Sequence, residues 1–314
     1  MEQLDQKIEI DEIQMRLLRE VADLHEVPAG AFNLRSNGQT AQRTTTANID
    51  IVSKEDGTGI DIRIKPHTVH ESVHIPVVLS QSGLTEMVYN DFYVGEGADV
   101  VIVAGCGIHN SGDQKSEHDG IHRFFIGKNA KVKYVEKHYG SGDGKGERVL
   151  NPTTEITMEE GSYLEMEMVQ IKGVDSTIRK TKADLDKDAK LIIRERLLTH
   201  GTQKAESSFV VNLNGEGSSA NLVSRSVAKD ESHQIFISQL NGNTQCAGHT
   251  ECDAIIMDHA RIEAVPELTA NNIDAALIHE AAIGKIAGEQ IIKLMTLGLT
   301  EEEAEAQIVN GFLK

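Results

Sequence analysis

The sequence predicts a mainly β fold: a β-helix of stacked coils with a short helical segment ahead of it and a helical hairpin behind it. Three observations predict this. A ten-residue pattern recurs along the chain, its aliphatic residues alternate, and aromatics are scarce. Aromatic residues make up 4% of the 314 positions and tryptophan is absent, although 39% of residues are apolar. A rod of stacked aliphatic strands needs little aromatic bulk, because neighbouring rungs share one core. The competing architecture is an antiparallel sandwich with hairpin connections.

Taking the elements in order, Ile10, Ile13, Met15, Leu17, Leu18, Val21 and Leu24 recur near helical spacing, which predicts a helix over about Ile10 to Leu24. The stretch "VPAGAF" ends it. From about Ile49 the period changes to two, and "NIDIVSKEDGTGIDIRI" predicts paired strands around a Gly-rich turn.

The repeat begins beyond residue 90. Its copies are "VGEGADVVIV" from Val94, "IGKNAKVKYV" from Ile126, "MEEGSYLEME" from Met158, "LDKDAKLIIR" from Leu185 and "IMDHARIEAV" from Ile256. "LNGEGSSANL" from Leu213 is a weaker copy, and the six starts lie 32, 32, 27, 28 and 43 residues apart. Such spacings belong to solenoids. Gly, Asn or Asp in each copy permits a tight turn. The small residue after it lets adjacent coils approach, and the alternating Val, Ile and Leu face inward.

At the C-terminus, "GEQIIKLMTLG" predicts a short helix with Gly298 as its left-handed cap. Thr300 with Glu303 forms a capping box for a second helix carrying Ala304, Ile308 and Val309 on one side. This hairpin either covers the open end of the solenoid or presents a face to a partner. The expected segments are residues 1–39 (helical), 40–278 (β-helix core) and 279–314 (hairpin).

Charge and motifs exclude several functions. A net charge of −18 argues against nucleic acid or an acidic membrane surface as partner. The opening "EQLDQKIEIDEIQ" has neither the basic start nor the apolar core of a secretory signal, and no apolar run approaches bilayer length. Three cysteines fit a reducing, cytoplasmic setting. "GSGDGKGE" (140–147) lacks the G-K-[ST] ending of a phosphate loop, and no G-x-S-x-G elbow occurs. The chain is therefore expected not to be an enzyme.

Two clusters have metal-ligand chemistry. Cys106, His109, His118 and His122 have a spacing that could hold zinc, although polar residues separate their halves. In "TQCAGHTECDAI", Cys246, His249 and Cys252 recur at two-residue gaps, and His279 with Glu280 follows downstream. Thiolate, imidazole and carboxylate together suit iron or zinc. If 250–256 is extended, Cys252 and Ala254 share one face and Asp253 and Ile255 the other. Ala247-Gly248 allows a turn, so Cys246 need not follow that alternation. The alternative is that Cys252 is a small buried hydrophobe.

"TECDAII" (250–256) and "IHEAAIGKIAGEQIIKLMTLGLTEEEAEAQIVNGF" (278–312) resemble the C-terminal signature of the SufB/SufD family, scaffold proteins of the SUF iron–sulfur cluster assembly system. "IGKNAKVKYVEKH" and "TTEITMEEGSYLEM" are similar to its β-helix core, and the resemblance covers about residues 40 to 314. It implies a right-handed parallel β-helix that pairs with a second chain, as a homodimer or a SufB/SufD-type heterodimer. It also implies docking of the ABC-type ATPase SufC on the C-terminal hairpin, around Gln290, Ile291, Leu294, Met295, Ile308 and Phe312. Cys252 falls on the family's cluster-building cysteine and Glu280 on the glutamate of H-E-A, with His279 beside it. The implied cargo is a transient iron–sulfur cluster, with none tightly bound after purification in air. A SufD-like subunit holding no metal is the other role the family offers. The chain departs from the pattern by its short N-terminus, by lacking the extra cysteine motif of longer SufB proteins, and by having no clear counterpart of SufD's interface histidine. Cys246 and His249 lie outside the family pattern and are weaker ligand candidates.

Overall fold

The structure, a computed structural model, describes residues 10–22 and 30–314. Its first element is helix α1 (Glu12–Ala22). The opening strands are β1 (Ala31–Ser36), β2 (Gln39–Thr44), β3 (Ile49–Ser53), β4 (Gly59–Ile64) and β5 (Val69–Leu79). Next come β6 (Thr85–Val94), β7 (Asp99–His109), β8 (Ser116–Ile126), β9 (Lys131–Ser141), β10 (Arg148–Leu150) and β11 (Thr153–Met158). The regular coils follow as β12 (Tyr163–Lys172), β13 (Ser176–Leu185), β14 (Lys190–Thr199), β15 (Lys204–Leu213) and β16 (Ser219–Ala228). The chain closes with β17 (His233–Gly242), β18 (Cys246–Ile256), β19 (Arg261–Ala270), β20 (Ala275–Gly284), α2 (Gly288–Met295) and α3 (Glu301–Phe312).

The strands alternate between two sheets and wind a β-solenoid of about eight turns, not a sandwich of hairpins. Sheet I runs β2-β1-β5-β7-β9-β12-β14-β16-β18-β20 and sheet II runs β19-β17-β15-β13-β10-β8-β6-β4-β3. Among the described residues only the β1–β2 and β3–β4 pairs are antiparallel; the second is the hairpin expected after Ile49. Pro152 offers no N–H to the ladder and separates β10 from β11, which both lie between β8 and β13.

The repeats are the turns. Five copies carry the chain from sheet II to sheet I, with Gly97, Asn129, Gly161, Asp188 and Gly217 at positive φ. The residue after each, Ala98, Ala130, Ser162, Ala189 or Ser218, is buried inside the turn. The copy at Ile256 follows β18 and turns the other way, from sheet I to sheet II, around Asp258. Its odd spacing of 43 is thus one coil and a half. Even positions of β9 and odd positions of β14 point inward, and the main core is one continuous apolar stack from Ala31 to Cys252, mostly aliphatic with a few aromatic rings such as Phe92, Phe124 and Tyr134.

Helix α1 lies on the outer face of sheet I, with Leu17 and Val21 fully buried. Gly105 and Gly107 make room for it: a Cβ at Gly105 would stand 2.5 Å from the Val21 carbonyl oxygen. The predicted helix is shorter than expected within the described residues, and Leu24 and the start of "VPAGAF" lie outside them. Two boundaries also move. β1 already belongs to sheet I, so residues 31–39 are not part of a helical segment. His279 and Glu280 lie on β20, where pairing with β18 continues the solenoid, and the hairpin begins only at Gly288.

The capping box forms as expected, Thr300 Oγ1 accepting from the Glu303 N–H at 3.2 Å and Glu303 Oε2 from the Thr300 N–H at 2.8 Å. Gly298 takes φ +97°, just beyond the end of α2. Helices α2 and α3 pack on each other, and the last coil stays open. Val265 and Ile278 remain 48% and 54% exposed on β19 and β20, which end sheets II and I. Among the described residues no helix is long and apolar enough to cross a membrane.

Candidate metal and cluster site

Strand β18 sets the geometry. Its alternation is unbroken, so Cys246, Gly248, Thr250, Cys252 and Ala254 all face the interior and His249, Glu251 and Asp253 face out. The turn that Ala247-Gly248 permits does not form. Gly248 is instead inward, where a Cβ would meet Leu277 at 2.8 Å. Cys246 therefore keeps the parity of Cys252 but stands six residues away, about 20 Å along an extended strand. The two thiols do not share one ligand set.

Strand β20 pairs with β18 in parallel, matching Thr250 with His279, Glu251 with Glu280, and Cys252 with Ala281. His279 thus joins the inner face diagonally beside Cys252, and its Nδ1 is buried without a hydrogen-bond partner, as is Thr250 Oγ1. Glu280 joins the outer face. There His249 Nε2 lies 3.2 Å from Glu280 Oε2, while His249 Nδ1 meets Asn221 Oδ1 at 3.0 Å. One ligand atom from each of His249, Glu251 and Glu280 lies within 4.8 Å of the other two, and among the described residues no other group of three His, Cys, Asp or Glu is this close. Burial, then the Asp253 carboxylate, raises the Glu251 carboxyl above its ordinary range.

Cys252 is 1% exposed. Burial, with the Glu195 and Asp253 carboxylates adding to it, pushes its thiol up to about 12. Glu195 reaches it through a column of inward residues on sheet I, because Glu136, Met168, Glu195, Ser224 and Cys252 pair in turn. Ser224 Oγ donates to Glu195 at 2.8 Å, and Arg179, from sheet II, lies between Glu195 and Glu136. For Glu136, burial alone would raise the carboxyl. Arg179 and then His138 override it and hold it well below the usual range. Sequence reasoning missed these buried charges. The signal was parity: Glu136 follows Val132 and Tyr134, and Glu195 follows Leu191 and Ile193, at inward positions.

The other cluster divides. His109 Nδ1 contacts Ser141 Oγ at 3.0 Å near the surface, whereas Cys106, His118 and His122 border one cavity inside the rod. On the hairpin, Ile291, Leu294, Ile308 and Phe312 are half-buried and Gln290 and Met295 exposed. The most exposed apolar residues there are ones the sequence did not single out, Ile292 and Leu297, the latter 76% exposed.

A family model described as the SUF system FeS cluster assembly SufBD core domain matches residues 80–312. An iron–sulfur cluster assembly SufBD family protein of Archaeoglobus fulgidus is 32% identical over 264 residues, covering 83% of this chain and 69% of the relative. One from Methanocaldococcus jannaschii is 27% identical over 270 residues, covering 84% of each. A third, from Pyrococcus horikoshii, is 28% identical over 276 residues, covering 82% of this chain and 78% of the relative.

Proposed function

Because the chain belongs to the SufBD family and so takes part in SUF iron–sulfur cluster assembly, we propose that it is a non-enzymatic scaffold on which a nascent cluster is built, with Cys252 as its thiolate. The observation that carries this reading is the inner face of the last two strands of sheet I. There Cys252 stands beside His279, whose buried Nδ1 has no partner. Thiolate is the ligand that iron–sulfur clusters demand. The imidazole is a second donor diagonally across one strand spacing, roughly 8 Å between Cα atoms.

The outer cluster supplies different chemistry. His249, Glu251 and Glu280 offer one imidazole and two carboxylates, a set suited to ferrous iron before it meets sulfide. A single thiolate per chain leaves ligands to be found elsewhere. The open edges of β19 and β20 could provide them by pairing with a second chain, of the same or a SufD-like kind. The hairpin would dock an ABC-type ATPase, its exposed Ile292, Met295 and Leu297 forming the apolar part of that contact. Nucleotide-driven closure of that partner would shift the scaffold interface and open the terminal coil over Cys252. The setting would be cytoplasmic, with neither nucleic acid nor membrane as partner.

The SufD-like reading, a subunit that holds no metal, draws support from the closed state of Cys252, a buried thiol beside a carboxylate. Iron and sulfide analysis after anaerobic reconstitution, on the chain alone and with its co-purified ATPase, separates the two. The scaffold reading expects iron and sulfide in equal amounts with visible charge-transfer absorption, and absence of both in either preparation would overturn it.

A further inference from the structure

We propose that Asn221, one strand further from the open end, is a positioning residue for the outer metal cluster. Its amide oxygen fixes the ring of His249 so that Nε2 is presented, beside Glu280 and Glu251, to a divalent ion of the ferrous or manganous type. The inference rests on the reading of that cluster as an iron site, and adds to it a residue that touches no metal.

The register isolates Asn221. Strand β16 pairs with β18 in parallel and matches Asn221 with His249 and Val223 with Glu251, all four facing outward. Val223 is apolar, so Asn221 is the only polar side chain that β16 sets beside the two ligands of β18. On its other side Asn221 is in register with Ile192 of β14, which is also apolar. Among the described residues its side chain makes one hydrogen bond, with Oδ1 accepting from His249 Nδ1 at 3.0 Å. Amides that brace the coils behave differently. On sheet II, Asn241 donates to Asn212 at 2.8 Å and Asn212 donates to Asp184 at 2.7 Å, a ladder from coil to coil. The amide of Asn221 joins no ladder and serves the imidazole alone.

The chemistry follows from which nitrogen is held. An amide oxygen accepts, so the Nδ1 that faces it carries the proton and Nε2 is left for a metal. That Nε2 lies 3.2 Å from Glu280 Oε2. Two ligand atoms each about 2.1 Å from one ion stand roughly 3.0–3.4 Å apart, so imidazole and carboxylate already have the separation of neighbouring ligands. Without Asn221 the same closeness opposes binding. The Glu280 carboxylate alone would select the other tautomer, with the proton on Nε2 where the ion must bind. An acceptor fixed on the second ring nitrogen is the supporting contact that metal-binding histidines use.

The test is Mn2+ titration of the full chain, read from the electron paramagnetic resonance signal of the free ion. The expected result is one Mn2+ per wild-type chain. Affinity falls about tenfold or more in Asn221→Leu, which keeps the size of the side chain but has no acceptor, and is kept or raised in Asn221→Asp, which retains the oxygen. In a His249→Ala background Asn221→Leu changes nothing further, because the amide acts through the ring. Circular dichroism and urea midpoints of the metal-free variants keep the comparison to folded protein. Wild-type affinity in Asn221→Leu, or equal weakening with and without His249, overturns the positioning role and leaves the outer metal site standing. No Mn2+ bound by the wild-type chain overturns both.

Discussion

Cys252 and Glu280 sit on adjoining strands of one sheet, a single residue out of register, and their side chains leave opposite faces of it. The thiol is 1% exposed inside the rod, while the Glu280 side chain is 67% exposed outside it. Thiolate and carboxylate chemistry are therefore divided by strand β20. An ion held by Glu280 reaches Cys252 only if the terminal coil moves or if a second chain rearranges it.

The first consequence concerns thiol reactivity. All three cysteines are free and buried, and burial raises all three thiols. Native protein at pH 8 is expected to show no fast phase with a disulfide reagent, and three equivalents should react after denaturation. A rapid single equivalent in the native chain, mapped to Cys252 by mass spectrometry, would show that the terminal coil is already open.

The outer cluster should bind ferrous or manganous ion independently of Cys252. His249→Ala or Glu280→Gln is expected to weaken that binding by about tenfold or more, since even supporting contacts to metal ligands carry that much. Cys252→Ala should leave it unchanged. Anaerobic titration calorimetry measures all three.

Inside the rod, Arg179 faces two buried carboxylates, Glu136 and Glu195. Arg179→Ala removes the guanidinium that both carboxylates face, leaving Glu136 only His138, and is expected to cost roughly 3–5 kcal/mol. Urea denaturation followed by circular dichroism reads the loss. A neutral result would mean that water or protonation replaces the guanidinium.

Acid should destabilise the metal-free chain in a defined window. Burial lowers His74 below its ordinary value and pushes His122 down to about 4. Both are thus neutral in the fold at pH values where the unfolded chain, near 6.5, begins to bind protons. Their contribution is complete above about pH 6.5 and is lost as pH falls toward 4, with a slope of up to about 1.4 kcal/mol per pH unit for each proton taken up. Glu136, held low, adds a further loss below the ordinary carboxylate range. Denaturation midpoints that stay flat from pH 7 to 4 would contradict these assignments.

The coils were legible because their turns are written locally: a left-handed Gly, Asn or Asp, then a small buried residue, then aliphatic alternation. Turns in the opposite sense were harder to see, since Gly201 and Asp230 sit in stretches that share little with the main pattern. The face of Cys252 followed from strand parity. The placement of Cys246 did not, because glycine permits a turn without requiring one, and the ladder to β16 keeps the strand straight. Separation of Cys252 from Glu280 depends on the register between two strands, which neither strand encodes alone. That His118 and His122 border one cavity with His138 likewise needs both sheets, whereas spacing along the chain had grouped them with Cys106 and His109.

The central claim is that Cys252, and not the other buried thiol of β18, Cys246, carries the cluster. Anaerobic reconstitution with iron and sulfide, followed by visible absorption, compares Cys252→Ala with Cys246→Ala directly. The account predicts that the charge-transfer bands disappear in Cys252→Ala and persist in Cys246→Ala. Unchanged bands in Cys252→Ala would contradict it.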